Sequence, residues 1–161
     1  MKLFRHILLL VAALSASVPA HAKEWAEWRG GDLKYAMLLA TDMRVVDKDF
    51  EDGWFGLNAV TDSGETIFLL YRQTPRFEQQ VAKAYVEDFT GITFGSPSRV
   101  DPSKGWTHRE RYEVNDRESV FWVDMGQGPN GTYAFILSTN SQDLQSRKGE
   151  YTKWRDSLEL W

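Results

Sequence analysis

The sequence contains no cysteine. Disulfides, thiolate metal sites and thiol nucleophiles are therefore excluded, and stability has to come from packing. Histidine is nearly as scarce. His6 and His21 lie in a leader-like N-terminal segment, which leaves His108 as the one histidine beyond it. A histidine-rich metal site cannot form on one such chain, and a Ser-His-Asp triad would have to use His108. Long apolar runs are missing too. Ile7 to Leu14 falls well short of the roughly 20 residues needed to span a bilayer, and no later stretch is longer, so no transmembrane segment is expected. Internal repeats, linkers and low-complexity segments are also absent.

What is present begins with "MKLFRHILLLVAALSASVPAHA". Lys2 and Arg5 make a basic start, an apolar run follows, and Ala20-His21-Ala22 is an A-x-A cleavage signal. This reads as a secretory signal peptide over residues 1–22, which predicts export, most simply to a bacterial periplasm. No cysteine follows the run, so lipoprotein attachment is not expected. Residues 23–161 then form one domain with a core of ordinary size. The 19 Lys and Arg, less Lys2 and Arg5, leave 17 against 23 acidic residues. An acidic exported domain of this kind is not expected to bind nucleic acid or an anionic lipid surface.

Periodicity orders the rest. After the polar lead "KEWAEWRGGD", the run "LKYAMLLA" reads as a strand, and "MRVVDKDF" as a weaker strand or irregular stretch. "WFGLNAV" and "ETIFLLY", joined by "TDSG", read as a hairpin. The period then changes. "TPRFEQQVAKAYVEDFTG" places Phe77, Val81, Ala82, Tyr85, Val86 and Phe89 on one helical face, with Thr74 suited to cap the start and Gly91 to stop it. "ITFGSPSRV" has room for a short strand. "WTHRERYEV" alternates, with Trp106, His108, Glu110, Tyr112 and Val114 on one side. "ESVFWVDM" and "GTYAFILST" are apolar on both faces, as central strands covered on both sides would be. The end, "NSQDLQSRKGEYTKWRDSLELW", carries Leu144, Tyr151, Trp154, Leu158 and Trp161 at helical spacing, with Asn140 or Ser141 as cap and a bend expected near Gly149. Strands in consecutive hairpins, interrupted by two helices, predict an α+β fold: an antiparallel sheet with two main helices packed on it.

The "FLLYRQTPRFEQQVAKAY" passage from strand to helix, the "SVFWVDM…TYAFILST" hairpin and the closing "YTKWRDSLELW" resemble the PsbP-like fold. That group includes the extrinsic photosystem II protein and periplasmic DcrB-type proteins. The resemblance covers most of residues 23–161. It implies an αβ sandwich that acts as a non-enzymatic binding, assembly or chaperone module. It names no ligand and carries over no functional residue.

Several stretches invite a chemical reading. "MGQGPNG", Met125 to Gly131, has the spacing of a dinucleotide fingerprint. Such a loop must lead into a helix, so that the pyrophosphate meets a helix N-terminus. "TYAFILST" is a strand by composition, so the loop reads as a hairpin turn in which Gly126 to Gly131 reverse the chain. "VVDKDFEDGW" clusters Asp47, Asp49, Glu51 and Asp52, but a calcium loop needs glycine at its sixth position and a bidentate glutamate at its twelfth. Asp52 and Asn58 stand there, which rejects an EF-hand and leaves at most a loose cation site on a solvated turn. Glu110, Glu113, Asp116, Glu118 and Asp124 would serve a cell-wall hydrolase if two of them faced each other across a cleft.

Tryptophan is the strongest compositional signal, with seven residues. Trp122 and Trp154 lie on apolar patterns and belong to the core. Trp25, Trp28, Trp54 and Trp106 lie beside polar stretches. They either offer exposed aromatic contacts to a ligand or protein partner, or lid the edges of the sheet. No cofactor, metal ligand or catalytic residue is assigned. The expectation is an exported binding module with an envelope protein partner: an assembly accessory, a chaperone-like protein or an inhibitor or immunity protein. A binder of glycan or a small apolar ligand is the alternative, and a hydrolase with paired carboxylates the third reading.

Overall fold

The structure, a computed structural model, describes residues 24–49 and 51–161, with the backbone alone at 47–49 and 51. The expected leader, residues 1–22, lies outside the described residues, as do the side chains of Asp47, Asp49 and Glu51. The strands are β1 (Trp25–Arg29), β2 (Tyr35–Ala40), β3 (Arg44–Asp49), β4 (Trp54–Val60), β5 (Thr66–Arg72), β6 (Ser98–Arg99), β7 (His108–Asp116), β8 (Ser119–Gln127), β9 (Thr132–Asn140) and β10 (Glu159–Leu160). Helix α1 (Gln79–Thr90) follows β5, and α2 (Ser141–Ser157) follows β9. No helix among the described residues is long and apolar enough to cross a membrane.

Seven strands form one antiparallel sheet in the order β3-β4-β5-β9-β8-β7-β6. Side chains alternate between its faces. Trp54, Leu70, Val123, Met125, Ala134 and Ile136 point to one face, where Ala82 and Val86 of α1 cover them. Leu57, Leu69, Trp122, Tyr133, Phe135 and Leu137 point to the other, beneath Tyr151 and Trp154 of α2. β5, β8 and β9 are apolar on both faces because both faces are covered.

A second sheet completes the α2 layer, in the order β1-β2-β10. It corrects two expectations. The polar lead is strand β1, whose Trp25 and Trp28 turn toward the core while Ala26 and Glu27 face outward. The closing helix stops at Ser157. Glu159 and Leu160 leave it to pair with Ala36 and Tyr35 of β2. Local spacing continued the helical pattern through Leu158 and Trp161, but an edge of β2 was available for pairing, and propensity alone does not register such a partner. Asn140 caps α2 as expected, its side-chain oxygen accepting from the Asp143 N–H at 2.7 Å. The irregularity in α2 sits at Arg147, two residues before Gly149, with φ −124° and ψ 21°.

Two further differences lie in the loops. α1 starts at Gln79, with Glu78 at its cap position and no side chain capping it. Thr74 is spent elsewhere: its hydroxyl shares a 2.9 Å hydrogen bond with that of Thr132 on β9. The "MGQGPNG" stretch is a hairpin between β8 and β9, as expected, but a shorter one. Gly126 belongs to β8, and the Gly128 N–H bonds the Gly131 carbonyl at 2.9 Å to close the turn. Its glycines serve close approach rather than unusual torsions. A Cβ on Gly126 would lie 2.0 Å from the His108 carbonyl oxygen, and one on Gly131 2.3 Å from that of Arg72.

Candidate functional site

Register builds the site. Trp54 lies opposite Arg72, Arg72 opposite Thr132, Thr132 opposite Gln127, and Gln127 opposite His108. Directly opposed residues of antiparallel strands share a face. These five side chains therefore form one row across five strands, on the face that carries α1. The next row inward, Leu70, Ala134, Met125 and Glu110, is buried. The polar row thus marks where the α1-side core ends.

The passage from β5 to α1, residues 73–78, crosses this row. The Gln127 amide donates to the Thr74 carbonyl at 3.3 Å, and the Thr132 hydroxyl donates to Gln127 Oε1 at 3.3 Å. The passage is tied down along its middle and leaves a cleft on each side. One, of about 100 Å³, is lined by Trp54, Arg72, Thr74, Arg76, Val81 and Thr132, among others. The other, of about 470 Å³, lies among Arg76, Phe77, Gln79, Thr107, His108 and Gln127.

The four tryptophans proposed as contacts go to different places. Trp54 is 2 % exposed and Trp106 4 %. Trp54 stacks on Tyr85 of α1 with ring centroids 4.5 Å apart and shows one edge to the smaller cleft. Trp106 packs against Tyr133 and Phe135 on the opposite face, beneath the Arg109 guanidinium. Trp25 and Trp28 are half-buried on β1, with Trp25 edge-on to Tyr151. The four do not converge on a common aromatic cradle. Trp54, Trp106, Trp122 and Trp154 are buried and supply core on both faces of the sheet, in a chain without a disulfide.

The expected acids are separated as well. Glu110 faces α1. Its carboxylate accepts from the Tyr112 hydroxyl at 2.9 Å and lies 3.1 Å from His108 Nε2. Burial pushes the Tyr112 hydroxyl up to about 12. His108 itself is half-buried, its ring 4.9 Å from that of Phe77. Asp124 faces α2, where Arg109 and Arg111 donate to it at 2.5 and 2.8 Å. Glu113, on that same face, pairs with Arg155 at 2.8 Å. Asp116 and Glu118 flank the exposed β7–β8 turn. Among the described residues, no two of these carboxylates oppose each other across a cleft, and His108, the one histidine there, has a carboxylate neighbour but no Ser or Thr hydroxyl bonded to it. Among the described residues, no three His, Asp or Glu side chains gather as a metal site would require.

Sequence reasoning missed Arg72, Gln127, Thr132 and the exposed position of Val81. Val81 fits the apolar stripe of α1, yet it is 44 % exposed at the rim of the smaller cleft. The one local signal was that stripe, which is wider than the helix can bury at its first turn. The row has no signal within any single segment, because it exists only through the pairing of five strands.

Layer order, topology and this end of the sheet define the class: the chain has a PsbP-like fold. It is similar to cyanobacterial PsbP (CyanoP) from Synechocystis sp. PCC 6803, whose solution structure superposes with a TM-score of 0.64 at 13 % identity, covering 91 % of this chain and 98 % of that one. No protein-family model matches the sequence, and no curated protein matches it. The likeness is one of fold, and it carries no functional residue across.

Proposed function

We propose that this protein is an exported, non-catalytic binding module of the bacterial envelope, and that it engages a protein partner through the row Trp54–Arg72–Thr132–Gln127–His108 and the passage above it. The observation that carries this reading is the row itself. It sets charged, amide, hydroxyl and imidazole groups along one sheet end, with a cleft on either side and the exposed Val81 at the rim. Such a mixture of apolar floor and a few directed polar groups is how protein sites orient what they bind. The PsbP-like fold is consistent with it. So is the internal pairing of Asp124 and Glu113 with arginines and of Glu110 with Tyr112. The leader supports export.

Within this reading, accessory, chaperone-like and inhibitor or immunity roles share one surface and differ in the partner. Binding of a small ligand beside Trp54 is the second reading, favoured by the edge of that ring in the smaller cleft. The test is capture of partners from an envelope extract. Alanine at Trp54 or Trp106 would damage the core, so the informative variants are Arg76→Glu and Val81→Glu at the exposed rim. Loss of the wild-type partner from both, with unchanged thermal unfolding, is the expected result. Equal recovery would move the contact surface elsewhere. Export is checked separately by sequencing the N-terminus of the secreted form, expected to begin at Lys23.

A further inference from the structure

Arg72 differs from every other arginine that the described structure withdraws from solvent. Arg109 and Arg111 hold Asp124 at 2.5 and 2.8 Å, Arg147 holds Glu65 and Glu150 at 2.9 Å, and Arg155 holds Glu113 at 2.8 Å. Arg72 is half-buried like Arg111 and Arg147, but among the described residues no carboxylate lies within ion-pair reach of it. No Arg72 nitrogen is both buried and unpartnered, so its N–H groups remain open to an incoming acceptor, unlike those of its paired counterparts. It lines the smaller cleft. We propose that the missing partner is a ligand carboxylate, and that the cleft takes the carboxyl terminus of a polypeptide that ends in a small apolar residue.

The other features of the cleft agree with that chemistry. Arg76 stands at the rim, 3.6 Å from the exposed Glu78 and so only loosely engaged. The first turn of α1 borders the same space, has no acidic residue in it and no side chain capping it, so its N–H groups add positive potential. Glu78, at the cap position of α1, also lines the cleft, so Arg72 and Arg76 leave it one positive charge in excess. Planar guanidinium suits a carboxylate because two N–H groups meet two oxygens. Size sets the rest. The cleft is small, about 100 Å³. That admits a carboxylate and one methyl-sized group, which would lie between the Trp54 edge and Val81.

This inference rests on the binding reading above and narrows its partner to one recognised by its terminus. The test is a titration followed by the amide signals of Gln80 and Val81 and the indole signal of Trp54, on the protein purified as the exporting cell processes it. The probes are N-acetyl-alanine, N-acetyl-alanine amide, and a five-residue peptide ending in alanine as free acid or as amide. The free acids are expected to shift those signals and the amides to leave them unmoved, with the peptide binding more tightly than N-acetyl-alanine. Arg72→Gln should weaken binding by at least about tenfold, as loss of a charged hydrogen bond does, with its fold checked by the unchanged remainder of the spectrum. Should that variant fold poorly, Arg76→Gln, on an exposed side chain, is expected to weaken binding by a smaller factor. Equal binding of acid and amide overturns the proposal, as does binding indifferent to both arginines. A peptide no tighter than N-acetyl-alanine overturns the polypeptide source. If the free acids do not bind while Arg76→Glu and Val81→Glu still lose the envelope partner, this inference falls and the binding-module reading stands.

Discussion

Trp54 and Tyr85 stack face to face, with centroids 4.5 Å apart and planes within 6° of parallel. The pair joins β4 to the middle of α1, and Trp54 lines the smaller cleft. Trp54→Ala should therefore cost about 3–5 kcal/mol, the range for deleting a large buried aromatic. Trp54→Phe should cost less, because a ring still packs on Tyr85. Urea denaturation of both variants checks the order. A Trp54→Ala chain as stable as the wild type would mean that α1 does not pack as described.

Asp124 gives the α2 face its most consequential charge. It is 1 % exposed and is shared by Arg109 and Arg111. Asp124→Asn would leave Arg109, 4 % exposed, without its carboxylate. The expected loss is about 3–5 kcal/mol, since a buried charge then goes uncompensated. Arg111→Gln should cost less, because that side chain reaches solvent. A double-mutant cycle between positions 111 and 124 should show coupling, and additive losses would contradict the shared geometry.

Alkaline pH should weaken the fold. Burial pushes the hydroxyls of both Tyr112 and Tyr133 up to about 12, against an ordinary value of 10.0. Between those values the unfolded chain loses the protons and the folded chain keeps them, so stability falls as pH rises through that window. Denaturation midpoints measured from pH 9 upward should decline. The decline should be shallower in Tyr112→Phe, and an unchanged slope there would exclude this tyrosine as a source.

Acid pH acts through Glu87. Its carboxyl is held below the ordinary 4.5, first by the hydrogen bond from Lys83 and then by the Phe94 N–H. The stabilisation is present above 4.5 and is lost as pH falls through the lowered value. Glu87→Gln should lower stability at neutral pH and above, where that contribution is present, and so flatten the acid limb, as read from urea midpoints. An identical acid limb in the variant would show that the loop at Phe94 is not tied to α1 in this way.

The hairpin that closes the site can be tested sterically. A Cβ on Gly131 would lie 2.3 Å from the Arg72 carbonyl oxygen, so Gly131→Ala must push β9 from β5 at the candidate row. A loss of about 1–3 kcal/mol is expected, typical of forced overpacking. Hydrogen exchange should quicken at Arg72 and Thr132 first. Gly64→Ala, where nothing lies within 4 Å but φ is +90°, separates backbone strain from crowding.

Much of the architecture was legible because it rests on local pattern. The α1 stripe, the two-sided apolar runs of β8 and β9, and the Asn140 cap are each written within a few residues. "MGQGPNG" failed its nucleotide context for the same reason: the strand that follows it is visible in "TYAFILST". The errors came where a distant partner decided. β1 and β10 exist because β2 has two edges to pair. Trp54 and Trp106 lie inside because helices and strands far away in sequence close over them.

The sequence by itself determined the class of fold, the order of its main elements and the absence of thiol chemistry, since these follow from periodicity and composition. Only the tertiary structure decided the site. Arg72, Thr132, Gln127 and His108 are brought into line with Trp54 by strand register. Register is fixed by hydrogen-bond ladders and two-sided burial acting across the whole sheet, and no segment read alone contains it.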